Sequence, residues 1–311
     1  MRRVAVLAAA LLGFPACVEL GLFDDTTSIS RGRPSHGKLI GGTRLPDRGE
    51  GFVTRDVWQQ RGNRYGTDEM IDLLIGVGRR IALDIKDVRL VVADLSGNGG
   101  GAQRLWHRSH QSGRDVDLVY FMRDAEGKPF EADAMRRFDR FGRAIDGSGI
   151  TVDIPRTWIL VKALLTAREA PVQYIFMYQP IANMMIDHAT KLGEASALIE
   201  RARRACRQPN DSARHDDHMH VRIYCAPADR AIGCIDIGPM ELLAQYEAES
   251  SPDDQLAELA VTLRGPASAA GAPPVFTAPS VTAPADRARE LESFSRLLRT
   301  RSDRVYLRRW R

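Results

Sequence analysis

Five of the seven histidines of this chain fall in two short segments about a hundred residues apart, Trp106 to Asp117 (WHRSHQSGRDVD) and His215 to Arg222 (HDDHMHVR). Segments so distant can act together only if the fold lays them side by side, and that constrains the fold more than any other feature. On a strand, residues two apart face the same way. His218 and His220 then project together from a strand over Met219 to Tyr224 (MHVRIY). Asp115 and Asp117 share a face at the start of a second strand, Val116 to Met122 (VDLVYFM), with His110 arriving from the preceding loop. If the two strands are neighbours, two imidazoles and a carboxylate converge.

A His/His/Asp set of borderline ligands with an open position is the composition of catalytic zinc. A closed structural site would more often recruit cysteines, and all four cysteines lie outside both clusters. No HExxH is present, which excludes a zincin. His36 and His188 have no partners in sequence and read as ordinary residues. Asp216 and Asp217 read as loop residues or supports rather than ligands. Asp115 has two readings: an acceptor for the outer N–H of a ligand histidine, or a strand-end aspartate satisfied locally.

Around these segments the pattern predicts an α+β domain whose central, mainly antiparallel sheet carries the zinc site between flanking helices. Met70, Leu73, Leu74, Val77 and Ile81 recur at helical spacing between Thr67 and Ile85. Val88 to Leu95 (VRLVVADL) reads as a strand ended by the glycine-rich run 96–101. The Val116 to Met122 strand is apolar on both faces and therefore reads as central. Trp158 to Ala167 reads as helix, Gln173 to Met177 as strand and Ile181 to Ala205 as mostly helical. Residues 18 to 50, rich in Gly, Ser, Asp and Arg, read as a loosely structured lead-in.

With 44% hydrophobic residues in 311, the chain can bury one sizeable core. Its formal charge of +4 is uneven: residues 286–311 carry nine Arg against four acidic residues, leaving the remainder at a net −1. The basic character belongs to the tail, so a nucleic-acid partner is not expected. Residues 250–285 read as a Pro/Ala-rich linker. The Arg-rich 286–311 tail reads as a disordered, solvated extension or as an anchor to an anionic surface.

Arg2 and Arg3 precede the apolar run Val4 to Phe14, too short to span a bilayer, so residues 1–17 read as a secretory signal and the protein as periplasmic. Cys17 stands where a lipoprotein signal places its lipidated cysteine, with ordinary cleavage nearby as the alternative. Export permits disulfides. Cys225 and Cys234 close a short loop and are the preferred pair, which leaves Cys206 either free or paired with Cys17.

His110-Gln-Ser-Gly113-Arg-Asp115-Val-Asp117 and His218-Met-His220-Val-Arg222 resemble the penicillin-insensitive murein endopeptidases. Their superfamily also holds lysostaphin-type enzymes, D-Ala-D-Ala metallopeptidases and the hedgehog signalling domain. Arg64-Tyr65-Gly66 before a helix, Tyr174-Ile-Phe-Met before Pro180-Ile181, and Cys225-Ala-Pro-Ala-Asp229 up to Cys234 follow in the family's order.

The resemblance implies a zinc metallopeptidase domain over residues 35–240 that hydrolyses peptidoglycan cross-links between D-Ala and meso-diaminopimelate. It maps Zn2+ ligation onto His110, Asp117 and His220, with His107 as an additional position near the metal. It assigns His218 and His215 to catalysis and matches Cys225–Cys234 to a disulfide of the family. A D,D- or L,D-carboxypeptidase and a non-catalytic, zinc-containing wall-binding module remain alternatives. Arg114 and Arg222 have two readings, contact with substrate carboxylates or internal salt bridges.

Overall fold

The computed structural model describes residues 28–102, 107–210 and 212–249; the signal, Cys17, the linker and the Arg-rich tail lie outside them. Helix α1, Asp68–Asp84, starts where its sequence says it should. Thr67 caps it by accepting from the Met70 N–H, and Asp68 and Glu69 occupy the dipole-favoured first turn. Its stripe of Met70, Leu73, Leu74, Val77 and Ile81 is fully buried, each large side chain contributing about 1.5–3 kcal/mol of apolar burial.

Strand β1, Asp115–Val119, follows. Helix α2, Ile154–Leu165, is capped by Asp153 with Pro155 in its first turn, and leads to strand β2, Val172–Phe176. The expected helical span 181–205 is two helices, α3 Gln179–Lys191 and α4 Ser196–Ala205. Between them Gly193, at φ +75°, takes the left-handed turn that ends a helix. Strand β3, Cys206–Arg207, and strand β4, His218–Ile223, complete the central sheet.

The sheet runs β3-β2-β4-β1. β4 pairs antiparallel with both β2 and β1, and only the short β3 is parallel to its neighbour. The two histidine-bearing segments are therefore adjacent, with His220 opposite Asp117 and Arg222 opposite Asp115. Period-two alternation separates the faces. Val116, Leu118, Ile175, Met219, Val221 and Ile223 enter the core, all at 1% exposure or less, while Asp115, Asp117, Tyr174, Phe176, His218 and His220 share the opposite face.

Three expectations change. The Val116 to Met122 strand stops at Val119, and Met122–Arg123 joins a separate three-stranded sheet. β1 is an edge strand, yet buried throughout, because the Val88 to Leu95 segment lies along it. That segment is regular strand only at Leu90–Val91. Its backbone changes partner, from Gly51 and Val53 to Asp117 and then Asn63, which breaks the ladder while keeping the groups paired. Finally, the described part of the expected lead-in holds a hairpin, Ile29–Arg33 with His36–Ile40. Its polar residues read as loop, but Ser30 donates its N–H to Asp229, and Gly32 pairs by backbone with Gly233 and Ile235.

The Cys225–Cys234 disulfide is formed, and Cys206 is free and buried. Burial pushes the Cys206 thiol up to about 12, so it behaves as a core residue.

Candidate metal centre

Two pieces of local structure aim the first cluster. Gly113 takes φ +80°, and a Cβ there would fall 2.6 Å from Leu39 Cδ1. Its carbonyl accepts the Thr67 N–H and its N–H donates to Ser96 Oγ, which fixes the turn feeding β1. Before it, His110 stands at φ +64°, the one non-glycine residue with positive φ among the described residues. Such a conformation costs about 1–2 kcal/mol; here the His110 N–H donates to Asp115 Oδ2 at 3.2 Å and holds it.

The second cluster rests on the register of β4. His218 and His220 project from the same face as Asp117, and His215 precedes them with its backbone pinned. Its carbonyl accepts from Tyr120 Oη and from the Tyr178 N–H, and its N–H donates to Gln208 Oε1.

All six residues singled out in the sequence meet at Asp117. Its Oδ1 lies 3.2 Å from His110 Nε2, 3.2 Å from His220 Nδ1 and 3.4 Å from His218 Nε2. Its Oδ2 lies 3.6 Å from His107 Nδ1. His215 completes the group, its ring 5.3 Å from that of His218 and 5.8 Å from that of His220. Asp117 is fully buried, and neither of its oxygens forms a hydrogen bond. Burial takes this carboxylate out of water, at a cost that positive charge placed beside it offsets. Four ring nitrogens crowd it at distances that suit a shared cation. His107, His110 and Asp117 form one triad able to hold a metal ion, and His215, His218 and His220 another.

Behind the inner nitrogens stand carboxylates. His220 Nε2 is 2.8 Å from Asp115 Oδ1, which also accepts from Arg222 Nε at 2.7 Å. This leaves Nδ1 as the nitrogen facing the site. Asp115 is thus an acceptor for the His220 ring rather than an aspartate satisfied within its own strand end. His107 repeats the arrangement, with Nε2 3.0 Å from the buried Asp94 and Arg61 Nη1 2.7 Å from the same oxygen. Sequence reading missed Asp94 and Arg61. The one available signal was a carboxylate closing a β-branched run, and only the pairing of its backbone with Asp117 brings it to the site. Asp217 lies 2.6 Å from His218 Nδ1, while Asp216 turns away to Arg137.

Charge follows this geometry. Burial opposes ionisation of Asp115, but Arg222 and then His220 hold it well below the usual carboxylate range. Asp117 is likewise held down against its burial, by His110 and then His218. Burial pulls His218 down, yet Asp117 and Asp217 outweigh it and push the ring up to about 10. His215 goes the other way: burial first, then His218 and His220, lower it to about 3. Its Nδ1 is buried without a hydrogen bond, so the ring is neutral with a lone pair to offer.

The two arginines separate. Arg222 braces Asp115 and lies over the Phe176 ring at 5.3 Å. Arg114 is buried, with donors spent on Asp236, Ser30 and the carbonyls of Ile223 and Ile235. It ties the site strand to the disulfide loop, the second of its two readings.

A family model described as penicillin-insensitive murein endopeptidase matches residues 30–241. A protein of that name from Haemophilus influenzae is 30% identical over 211 residues, which span 66% of this chain and 66% of the relative, just under two thirds. One from Escherichia coli O6:K15:H31 is 25% identical over 238 residues, or 74% of this chain and 80% of the relative.

Proposed function

The chain belongs to the penicillin-insensitive murein endopeptidase family, and from that premise we propose that it is an exported zinc metallopeptidase cutting D-Ala–meso-diaminopimelate cross-links of peptidoglycan. The observation that carries this is the buried Asp117 carboxylate, without a hydrogen bond and faced by four imidazole nitrogens at 3.2–3.6 Å. Such a set fits a divalent cation, and its mixture of nitrogen and carboxylate donors without thiolates suits catalytic zinc. His110 Nε2, Asp117 and His220 Nδ1 are the atoms that would hold it, with His107 beside them. A zinc ion there supplies Lewis acidity toward the scissile carbonyl and the attacking water.

The remaining chemistry falls to the chain's own side chains. Asp217 accepts from His218 Nδ1–H, a tautomer inferred from the hydrogen bond, which leaves Nε2 on the site side. That nitrogen takes the proton of the attacking water and returns it to the leaving amine. With Asp117 committed to a cation, His218 loses its largest support and comes down from about 10 toward the range where it can do both. His215, neutral and pinned through its backbone, donates a ring N–H to the developing oxyanion without adding charge. Asp115 keeps the His220 tautomer and ring direction fixed. Export to the periplasm, with Cys17 as a candidate lipid anchor, agrees with a substrate outside the cytoplasmic membrane.

The test is incubation of the zinc-loaded protein with purified cross-linked muropeptide dimers, followed by mass spectrometry, beside His220→Ala and a chelated control. Conversion of dimers to monomers only with metal and His220 is the expected result. Intact dimers that lose terminal D-Ala would replace the endopeptidase with a carboxypeptidase. Metal binding without turnover would leave a wall-binding module.

A further inference from the structure

The rung that carries the site continues beyond it. Asp117, His220, Phe176 and Arg207 are successive partners across β1, β4, β2 and β3. Neighbouring strands are about 4.8 Å apart, so Arg207 sits about 10 Å from His220 along the sheet. The surface between them is aromatic. Tyr174 and Phe176 stack at 4.6 Å, and the Arg207 guanidinium lies 5.9 Å from the centre of the Tyr174 ring.

At the far end of the rung opens a cleft of about 540 Å³, lined by Arg203, Arg204, Arg207, Gln179 and Asn210, with Glu241 the acidic residue among them. Arg204 is engaged by Glu200 at 2.9 Å. Among the described residues neither Arg203 nor Arg207 has an ion-pair partner, so the cleft holds more positive charge than it neutralises. It is also joined to the site: Gln208 lines the cleft, donates its N–H to Gln179 Oε1 and accepts the His215 N–H.

We propose that this cleft is a subsite for a free carboxylate of the substrate peptide, with Arg203 and Arg207 as its specificity-determining contacts. The inference rests on the peptidase reading above. Guanidinium groups match carboxylates in shape and keep their charge at any working pH. Extended peptide advances about 3.3 Å per residue, so the carboxylate recognised lies about three residues from the bond that is cut, with the intervening chain over Tyr174 and Phe176.

The experiment uses the full, zinc-loaded chain and two cross-linked muropeptide dimers, one with free stem carboxylates and one with those carboxylates amidated. The wild type is expected to favour the free form by about tenfold or more in kcat/KM, mainly through KM. An Arg203→Gln/Arg207→Gln variant of unchanged Tm is expected to lose that preference. Should the loss of Arg207 lower Tm through its contact with Tyr174, Arg203→Gln alone gives the same comparison at smaller size. A preference that survives in the variant, or an equal loss on both dimers, overturns the subsite while leaving the peptidase intact.

Calorimetry with uncross-linked stem peptide separates the two ideas. If the wild type cuts neither dimer, the peptidase reading falls. Peptide binding that weakens about tenfold in the variant then still supports the subsite, and equal or absent binding overturns it.

Discussion

The site contains one device built twice. Arg222–Asp115–His220 and Arg61–Asp94–His107 each set an arginine behind a fully buried aspartate, and the aspartate behind an imidazole whose other nitrogen faces Asp117. The supports differ. His220 and Asp115 sit on paired strands in fixed register, and Asp115 also holds the backbone of His110 in its left-handed conformation. His107 hangs from a loop, and Asp94 reaches it only because the 90–95 segment runs beside β1. Side-chain exposure follows the same order, 7% and 13% for His220 and Arg222 against 15% and 28% for His107 and Arg61. The same chemistry on a sheet rung organises a site; on a loop it adjusts one.

The substitution that breaks both relays at once is Asp117→Asn, which removes the charge on which they converge. Loss of metal and at least a thousandfold fall in kcat/KM are expected, by analogy with removing any member of a catalytic constellation. Metal content by mass spectrometry and turnover of cross-linked muropeptides check it. Retained metal with retained turnover would remove Asp117 from the centre of the site.

The comparison itself is tested by Asp115→Asn against Asp94→Asn. Asp115→Asn is expected to weaken metal binding toward the upper end of the 10–100-fold range typical of such outer carboxylates. It should also lower stability by about 3 kcal/mol, because Arg222 loses its buried partner. Asp94→Asn is expected to cost about tenfold or less in affinity, with a smaller drop in Tm. Competition with a chromophoric chelator and thermal unfolding measure both. Equal effects would mean that the loop relay holds the metal as firmly as the strand relay does.

This asymmetry also explains what could be read from the sequence. The strand half was legible: period-two spacing puts His218 with His220 and Asp115 with Asp117 on shared faces, and only the pairing of the strands had to be supplied by the fold. α1 was legible because its apolar stripe is a local, periodic pattern. The loop half was not. Asp94 belongs to a segment that changes backbone partners twice, and no periodicity encodes a contact made by one residue of a broken ladder. The split of 181–205 at Gly193 and the hairpin at 29–40 were missed for a related reason. One glycine in a helical composition, and polar strands held by Asp229 and Gly233, carry no hydrophobic signature.

The smallest effect is one of pH, and it contrasts two histidines three residues apart on the strand side. In protein stripped of metal by a chelator, His218 has a folded value of about 10 against an ordinary 6.5. Its contribution is fully present below pH 6.5 and is lost as pH rises toward 10, since the folded state binds more protons across that window. His215 has a folded value of about 3 against the same 6.5. The unfolded chain then binds the extra proton, so stability falls as pH drops below 6.5, before the carboxylates with lowered values contribute near pH 4 and below. The stripped protein should therefore show its highest Tm near pH 6.5, with a decline on either side between pH 4.5 and 9. His218→Gln should make the alkaline limb shallower, the remainder belonging to His220, which burial lowers but Asp115 and Asp117 hold above its ordinary value. His215→Gln should flatten the acid limb. Saturating zinc should flatten the alkaline limb in the wild type as well, because a cation on Asp117 takes the place of the His218 proton. An alkaline limb unchanged by zinc would separate His218 from the charge on Asp117, and with it the proton-transfer role assigned to Nε2.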